Sequence, residues 1–65
     1  MSAVAELQPL ERWMARVRQI GAHRPHRADY AAYERLKAEL VREFPCLTGA
    51  EYERAVAAIS QATGV

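Results

Sequence analysis

The stretch LTGAEYERAVAAISQATG, residues 47–64, carries the clearest helix signal in the chain. Thr48 followed three residues later by Glu51 is a capping box, in which each side chain accepts a hydrogen bond from the other residue's backbone N–H. Gly64 provides a stop that tolerates left-handed backbone geometry. These features predict a helix over about residues 48–62. The apolar positions within it recur at helical spacing, namely Tyr52, Ala55, Val56, Ile59 and Ala62.

A second amphipathic helix is predicted upstream, over about residues 29–44. Asp29 is a suitable N-cap because its carboxylate can accept a backbone N–H of the first turn. Pro45 disfavours helical geometry at the preceding residue, so the helix should end at Phe44. The apolar stripe consists of Tyr30, Tyr33, Leu36, Leu40 and Phe44. The charged residues expected as ion pairs on the opposite, solvent-facing side are Arg35, Glu39 and Arg42.

A third helical segment is predicted near the start of the chain, over about residues 9–20. Pro9 suits the first helical position, and Gly21 is the expected stop. The apolar stripe, which begins before the helix, consists of Val4, Leu7, Leu10, Met14 and Val17, joined by Trp13 and Ile20. No segment alternates with the period of a strand, so the predicted fold is all-α. It is one domain, residues 1–65, in which the second and third helices form a helix–Pro-turn–helix hairpin and the first helix covers them.

The chain is short for a stable single core. With 65 residues it buries a small share of its surface, and its one cysteine, Cys46, can form no internal disulfide. Chains of this size often gain stability by oligomerisation. We therefore expect a homo-oligomer, most simply a dimer. The residues expected to line its seam are Trp13, Val17, Leu36, Leu40 and Phe44.

Several functional classes lack support in the sequence. No apolar run is long enough to span a bilayer, and residues 1–13 lack the pattern of a signal peptide, so we expect a cytoplasmic protein. No glycine-rich loop could cradle a phosphate, Ser60 lacks a nucleophile motif, and no cofactor is implied. Cys46 is interpreted as a buried structural thiol, with a thiol activated beside a helix N-terminus as the alternative. The sequence predicts a non-enzymatic protein.

Residues 12–27 hold five arginines and two histidines and no acid, although the chain's net charge is only +1. We interpret this basic segment as part of a surface that binds a protein partner. The candidate residues are Arg12, Arg16, His23, Arg24, His26 and Arg27. A metal site at His23 and His26 with Cys46 is an alternative, but it lacks the fourth ligand of a structural zinc site. A second alternative is that this segment is a solvated turn without a binding role.

Nucleic-acid binding is the second functional hypothesis. It would use five arginines, namely Arg12, Arg16, Arg18, Arg24 and Arg27. A helix-turn-helix reading of the last two helices is disfavoured, because the first turn of the reading helix would bring Glu51 and Glu53 towards the polyanion.

The stretch YERLKAELVREFPCLTGAEYERAVAAISQATGV, residues 33–65, resembles a helix–Pro-turn–helix found in small proteins of GC-rich bacteria and their phages. The resemblance rests on Pro45, the capping box and the terminal Gly-Val. It implies a protein that binds and blocks a host protein, including defence and regulatory machinery. The function we expect is therefore an interaction module that inhibits or regulates a partner protein.

Overall fold

The computed structural model describes residues 8–22 and 27–65. Three helices occupy most of these residues: α1 (Pro9–Ala22), α2 (Tyr30–Glu43) and α3 (Gly49–Thr63). No strand occurs in the described residues, so the predicted all-α class is confirmed. Among these residues, no helix combines the length and apolar character that crossing a bilayer requires.

The helix starts follow the capping signals. The Asp29 carboxylate accepts a hydrogen bond from the Ala32 N–H at 3.0 Å and begins α2. Both hydrogen bonds of the capping box are present, since Thr48 Oγ1 accepts from the Glu51 N–H and Glu51 Oε1 accepts from the Thr48 N–H. Gly64 ends α3 in the left-handed region, with φ of 74°. Local hydrogen bonding thus sets the limits of these helices.

Helix α3 is the element on which the other two pack. Both α1 and α2 approach it closely, whereas no Cα atom of α1 comes within 8 Å of one in α2. The expected arrangement has α1 covering both other helices, and the structure brings α1 to α2 through side chains, Trp13 on Glu39 and Phe44, and not through close backbone approach. Two alanines of α3, Ala55 and Ala58, are buried, and such small side chains let a neighbouring helix approach. The core consists of Leu10, Trp13, Met14, Val17, Leu40, Ala55, Ala58 and Ile59.

Gly21 lies inside α1 and does not end it, contrary to the sequence-based expectation. The helix continues through Ala22. A Cβ placed on Gly21 would lie 2.5 Å from the Ala62 Cα and 2.8 Å from the Ala62 Cβ. Glycine is therefore required here by the contact between α1 and α3, and the helical geometry itself does not demand it.

The end of α3 is tied to the segment that precedes α2. The Asp29 N–H donates to the Thr63 carbonyl at 2.8 Å, which supplies a partner for a carbonyl at the helix end. The Thr63 hydroxyl is buried and donates to the Ile59 carbonyl at 2.8 Å. At the other end of the α1–α3 contact, Arg54 and Glu11 form an exposed ion pair. The two ends of α3 are thus each joined to a different part of the chain.

Replacing Gly21 with alanine should destabilise the protein, although alanine is the better helix former by roughly 1 kcal/mol. The added Cβ forces α1 away from Ala62, and overpacking of this kind costs about 1–3 kcal/mol. Gly49→Ala is the matched control, because no atom lies within 4 Å of the added Cβ. Urea unfolding followed by circular dichroism compares the two variants. A Gly21→Ala protein as stable as Gly49→Ala would contradict the close contact.

Removing the cap at Thr48 should weaken α3. Thr48→Ala deletes the acceptor of the Glu51 N–H, and the expected loss is about 1 kcal/mol. Thr48→Ser keeps a hydroxyl oxygen and should retain most of the unfolding free energy. Thermal unfolding of the two variants is the measurement. Equal melting temperatures for both would show that the capping box contributes nothing.

Candidate interaction surface

The arginines of α1 fall on two sides of the helix. Arg12 and Arg16 are four residues apart and line hollows that face α2. Arg18 lies two residues beyond Arg16 and lines a different hollow, beside Gln61 of α3. Side chains two apart on a helix do not face each other. The basic segment therefore does not form one continuous stripe along α1.

The feature that α1 and α2 create together is an open groove between their exposed sides. Two adjoining hollows form it, of about 460 and 220 Å³, and both include Trp13 and Arg16. We call this surface the α1/α2 groove. Its lining residues are Pro9, Arg12, Trp13, Arg16, Val17, Ile20, Leu36, Glu39, Glu43 and Phe44.

Trp13 joins the two walls of the α1/α2 groove. Its indole N–H donates to Glu39 Oε1 at 2.7 Å across the two helices. Its ring meets Phe44 edge-on, with centroids 6.2 Å apart and planes at 75°, an arrangement that aromatic pairs favour. Because Trp13 is nearly fully buried, its contacts with Glu39 and Phe44 fix the distance between α1 and α2 at this point of the groove.

The two walls of the groove carry opposite charge. Arg12 and Arg16 belong to the α1 wall, and Glu39 and Glu43 belong to the α2 wall. Glu39 is half-buried and serves as the acceptor for the indole, whereas the sequence placed it among solvent-side ion pairs. An acceptor is needed there because a buried indole N–H without a partner would be costly.

The residues expected to form a dimer seam do not share one environment. Trp13, Val17 and Leu40 are buried in the core of a single chain, so its own helices account for them. Leu36 and Phe44 are half-buried and pack against that core. Ile20, which the expected seam omitted, is 44% exposed in the groove. Its place in the apolar stripe of α1 was the sequence signal for it.

Three of the predicted partner-binding residues, His23, Arg24 and His26, lie outside the described residues. Arg27 is exposed, and its backbone lies against the end of α3, where its carbonyl oxygen is 3.2 Å from the position of a Cβ on Gly64. Within residues 8–22 and 27–65, no three side chains of His, Cys, Asp or Glu gather as a metal site would require. The metal alternative itself involves the two histidines that are not described.

Two further residues differ from their sequence-based interpretation. Cys46 is an exposed free thiol, not a buried one, because it lies in the connection after Pro45 and not on a helix face. Tyr30 is exposed although it continues the apolar stripe of α2, because it is the first residue of that helix and extends beyond the core.

Comparisons with known proteins do not assign the chain to a family. No family model matches the chain, and neither the curated proteins nor the solved structures returned a match. The resemblance to small phage proteins therefore stays an expectation. The function has to be argued from the geometry of the described residues.

Substitutions at Glu39 should separate its hydrogen-bonding role from its charge. Glu39→Leu leaves the Trp13 indole N–H without its acceptor, which should cost about 1–3 kcal/mol of unfolding free energy. Glu39→Gln retains an acceptor oxygen and should cost less. Glu34→Leu is the control, because Glu34 is exposed on the same helix and its replacement should stay within about 0.5 kcal/mol. Equal losses for Glu39→Leu and Glu34→Leu in urea unfolding would rule out this role.

Proposed function

We propose that the protein is a non-enzymatic protein-interaction module that binds a helix of its partner in the α1/α2 groove. The observation that carries the proposal is the separation of α1 from α2, whose Cα atoms stay more than 8 Å apart. It leaves the partly exposed Ile20 and the half-buried Leu36 beside an open hollow. Grooves of this kind accept the apolar face of an amphipathic helix.

The charges beside the apolar residues would set the orientation of the bound helix. Arg16 on one wall and Glu39 on the other favour a partner with an acidic and a basic side, since charge complementarity contributes to specificity and register. The protein would act by covering the partner surface that it binds. Inhibition of a host protein by a phage-encoded chain is the form of this proposal that the resemblance favours, and the compartment we propose is the cytoplasm.

The charge distribution favours a protein over a nucleic acid as the partner. Arg16 shares its hollow with Glu39, and Arg12 shares its hollow with Glu43. Carboxylates beside these arginines would oppose a phosphate backbone. Arg18 lines a different hollow from the other two. Arg12, Arg16 and Arg18, the α1 arginines among the described residues, therefore do not form the single basic stripe that the nucleic-acid hypothesis needs.

A capture experiment with a matched control tests the proposed function. Ile20→Gln places a polar, uncharged side chain in the groove, whereas Val41→Gln changes a residue that is 54% exposed outside it. Each tagged variant is incubated with a lysate of the organism that encodes the protein. We expect wild type and Val41→Gln to capture the same proteins. Ile20→Gln should capture at least tenfold less of them, because the isoleucine side chain that would be buried in the complex is gone.

Two results would contradict the proposal. One is a set of bound proteins that Ile20→Gln retains as well as Val41→Gln does. The other is capture of nucleic acid alone, with retention that falls steeply as the salt concentration rises. The second result would favour the nucleic-acid hypothesis.

A further inference from the structure

Arg16 and Glu39, on the two walls of the α1/α2 groove, form no ion pair with each other. The Arg16 side chain is exposed and makes no hydrogen bond or ion pair within the described residues. Glu39 uses Oε1 for the Trp13 indole, and its second oxygen accepts no hydrogen bond from the described part of the chain. Both side chains line the same hollow of about 220 Å³. A basic and an acidic group thus stand on opposite walls, each able to contact a further charge.

A groove with this polarity is complementary to a copy of itself. In a two-fold interface, if residue i contacts residue j of the partner, then j contacts i in return. Two groove-to-groove arrangements are possible, with the axis either along the groove or across it. An axis across the groove would stack the basic α1 walls on each other. An axis along the groove stacks each α1 wall on the α2 wall of the other copy.

We propose that a second copy of the chain occupies the α1/α2 groove, about a two-fold axis along the groove, with Arg16 of each copy facing Glu39 of the other. The inference goes beyond the proposed function, because it concerns the same groove when no partner helix is bound. Arg12 and Glu43 continue the same pattern of charge in the adjoining hollow. Attraction between the basic and the acidic walls thus favours the arrangement with the axis along the groove.

Apolar burial acts in the same direction. Ile20 is 44% exposed at the groove and Leu36 is half-buried there, so a facing copy would remove apolar area from water on both walls. Removal of such area from water favours association. The chain's own core is small and includes two alanines, Ala55 and Ala58, and domains of this size commonly gain stability by association. A partner helix that enters the groove would have to displace the second copy.

Sedimentation equilibrium over a range of protein concentrations tests the inference. The wild type should approach twice the chain mass of 7.3 kDa. Arg16→Glu should raise the dissociation constant at least tenfold, which corresponds to about 1.4 kcal/mol, because it places two carboxylates opposite each other at two symmetric positions. Arg18→Glu is the control, since it makes the same change on the same helix but in another hollow. It should leave the mass unchanged, as should Val41→Gln.

Circular dichroism of each variant, recorded at a protein concentration below the dissociation constant of the dimer, verifies that the helices of the monomer are intact. If Arg16 pairs with Glu39 inside one chain instead, Arg16→Glu would lower the melting temperature of the dilute monomer without changing the dissociation constant, and the inference would fail. It would also fail if the wild type stayed at 7.3 kDa, or if Arg18→Glu dissociated the dimer as well as Arg16→Glu. The capture experiment with Ile20→Gln decides the proposed function separately in each case.

Discussion

The close contact between Gly21 of α1 and Ala62 of α3 is the constraint on which the rest of the structure depends. A Cβ on Gly21 would be 2.5 Å from the Ala62 Cα, so the two helices can meet there only because one residue has no side chain. This contact holds α1 against α3. Helix α2 packs on α3 as well, and it is left without direct backbone contact with α1. The α1/α2 groove exists because α1 and α2 each pack on α3, without close backbone contact with each other.

Trp13 keeps the groove from closing where its two hollows meet. The large buried ring of Trp13 packs on Phe44 and holds the helices apart. The hydrogen bond from its indole to Glu39 keeps α2 at that distance. The same hydrogen bond holds a carboxylate on the α2 wall opposite the arginines of α1. The spacing and the polarity of the groove therefore have a common origin. One side chain connects the packing of the core to the charges that a partner would meet.

Much of the local structure follows from the sequence. Asp29, Thr48 with Glu51, and Gly64 each mark a helix end, because their hydrogen bonds or dihedral angles are decided by neighbours a few residues away. The central position of α3 could not be predicted in this way. An apolar stripe indicates which face of a helix is buried, but it does not indicate which other helix covers that face. The placement of α1 depends on contacts between residues far apart in the chain.

The individual errors have the same cause. Glycine is common where helices end, and only the proximity of Ala62 explains why Gly21 lies within the helix. Glu39 has the spacing of a solvent-side ion pair, yet the indole of Trp13, 26 residues away, makes it an acceptor. Trp13, Val17 and Leu40 were expected in a seam because their stripes are apolar, and one chain proves sufficient to bury them. Ile20 remains partly exposed because its position near the end of α1 lies beyond the centre of that core.

The most direct test of the account is an isotope-filtered nuclear Overhauser experiment on an equal mixture of labelled and unlabelled protein, which detects contacts between copies only. We predict intermolecular contacts that connect Ile20 of one copy with Leu36 of the other, since both side chains line the groove and are partly exposed. Val41, on the exposed side of α2, should show none. Intermolecular contacts centred on Val41, or none at any of these methyl groups at high concentration, would contradict it.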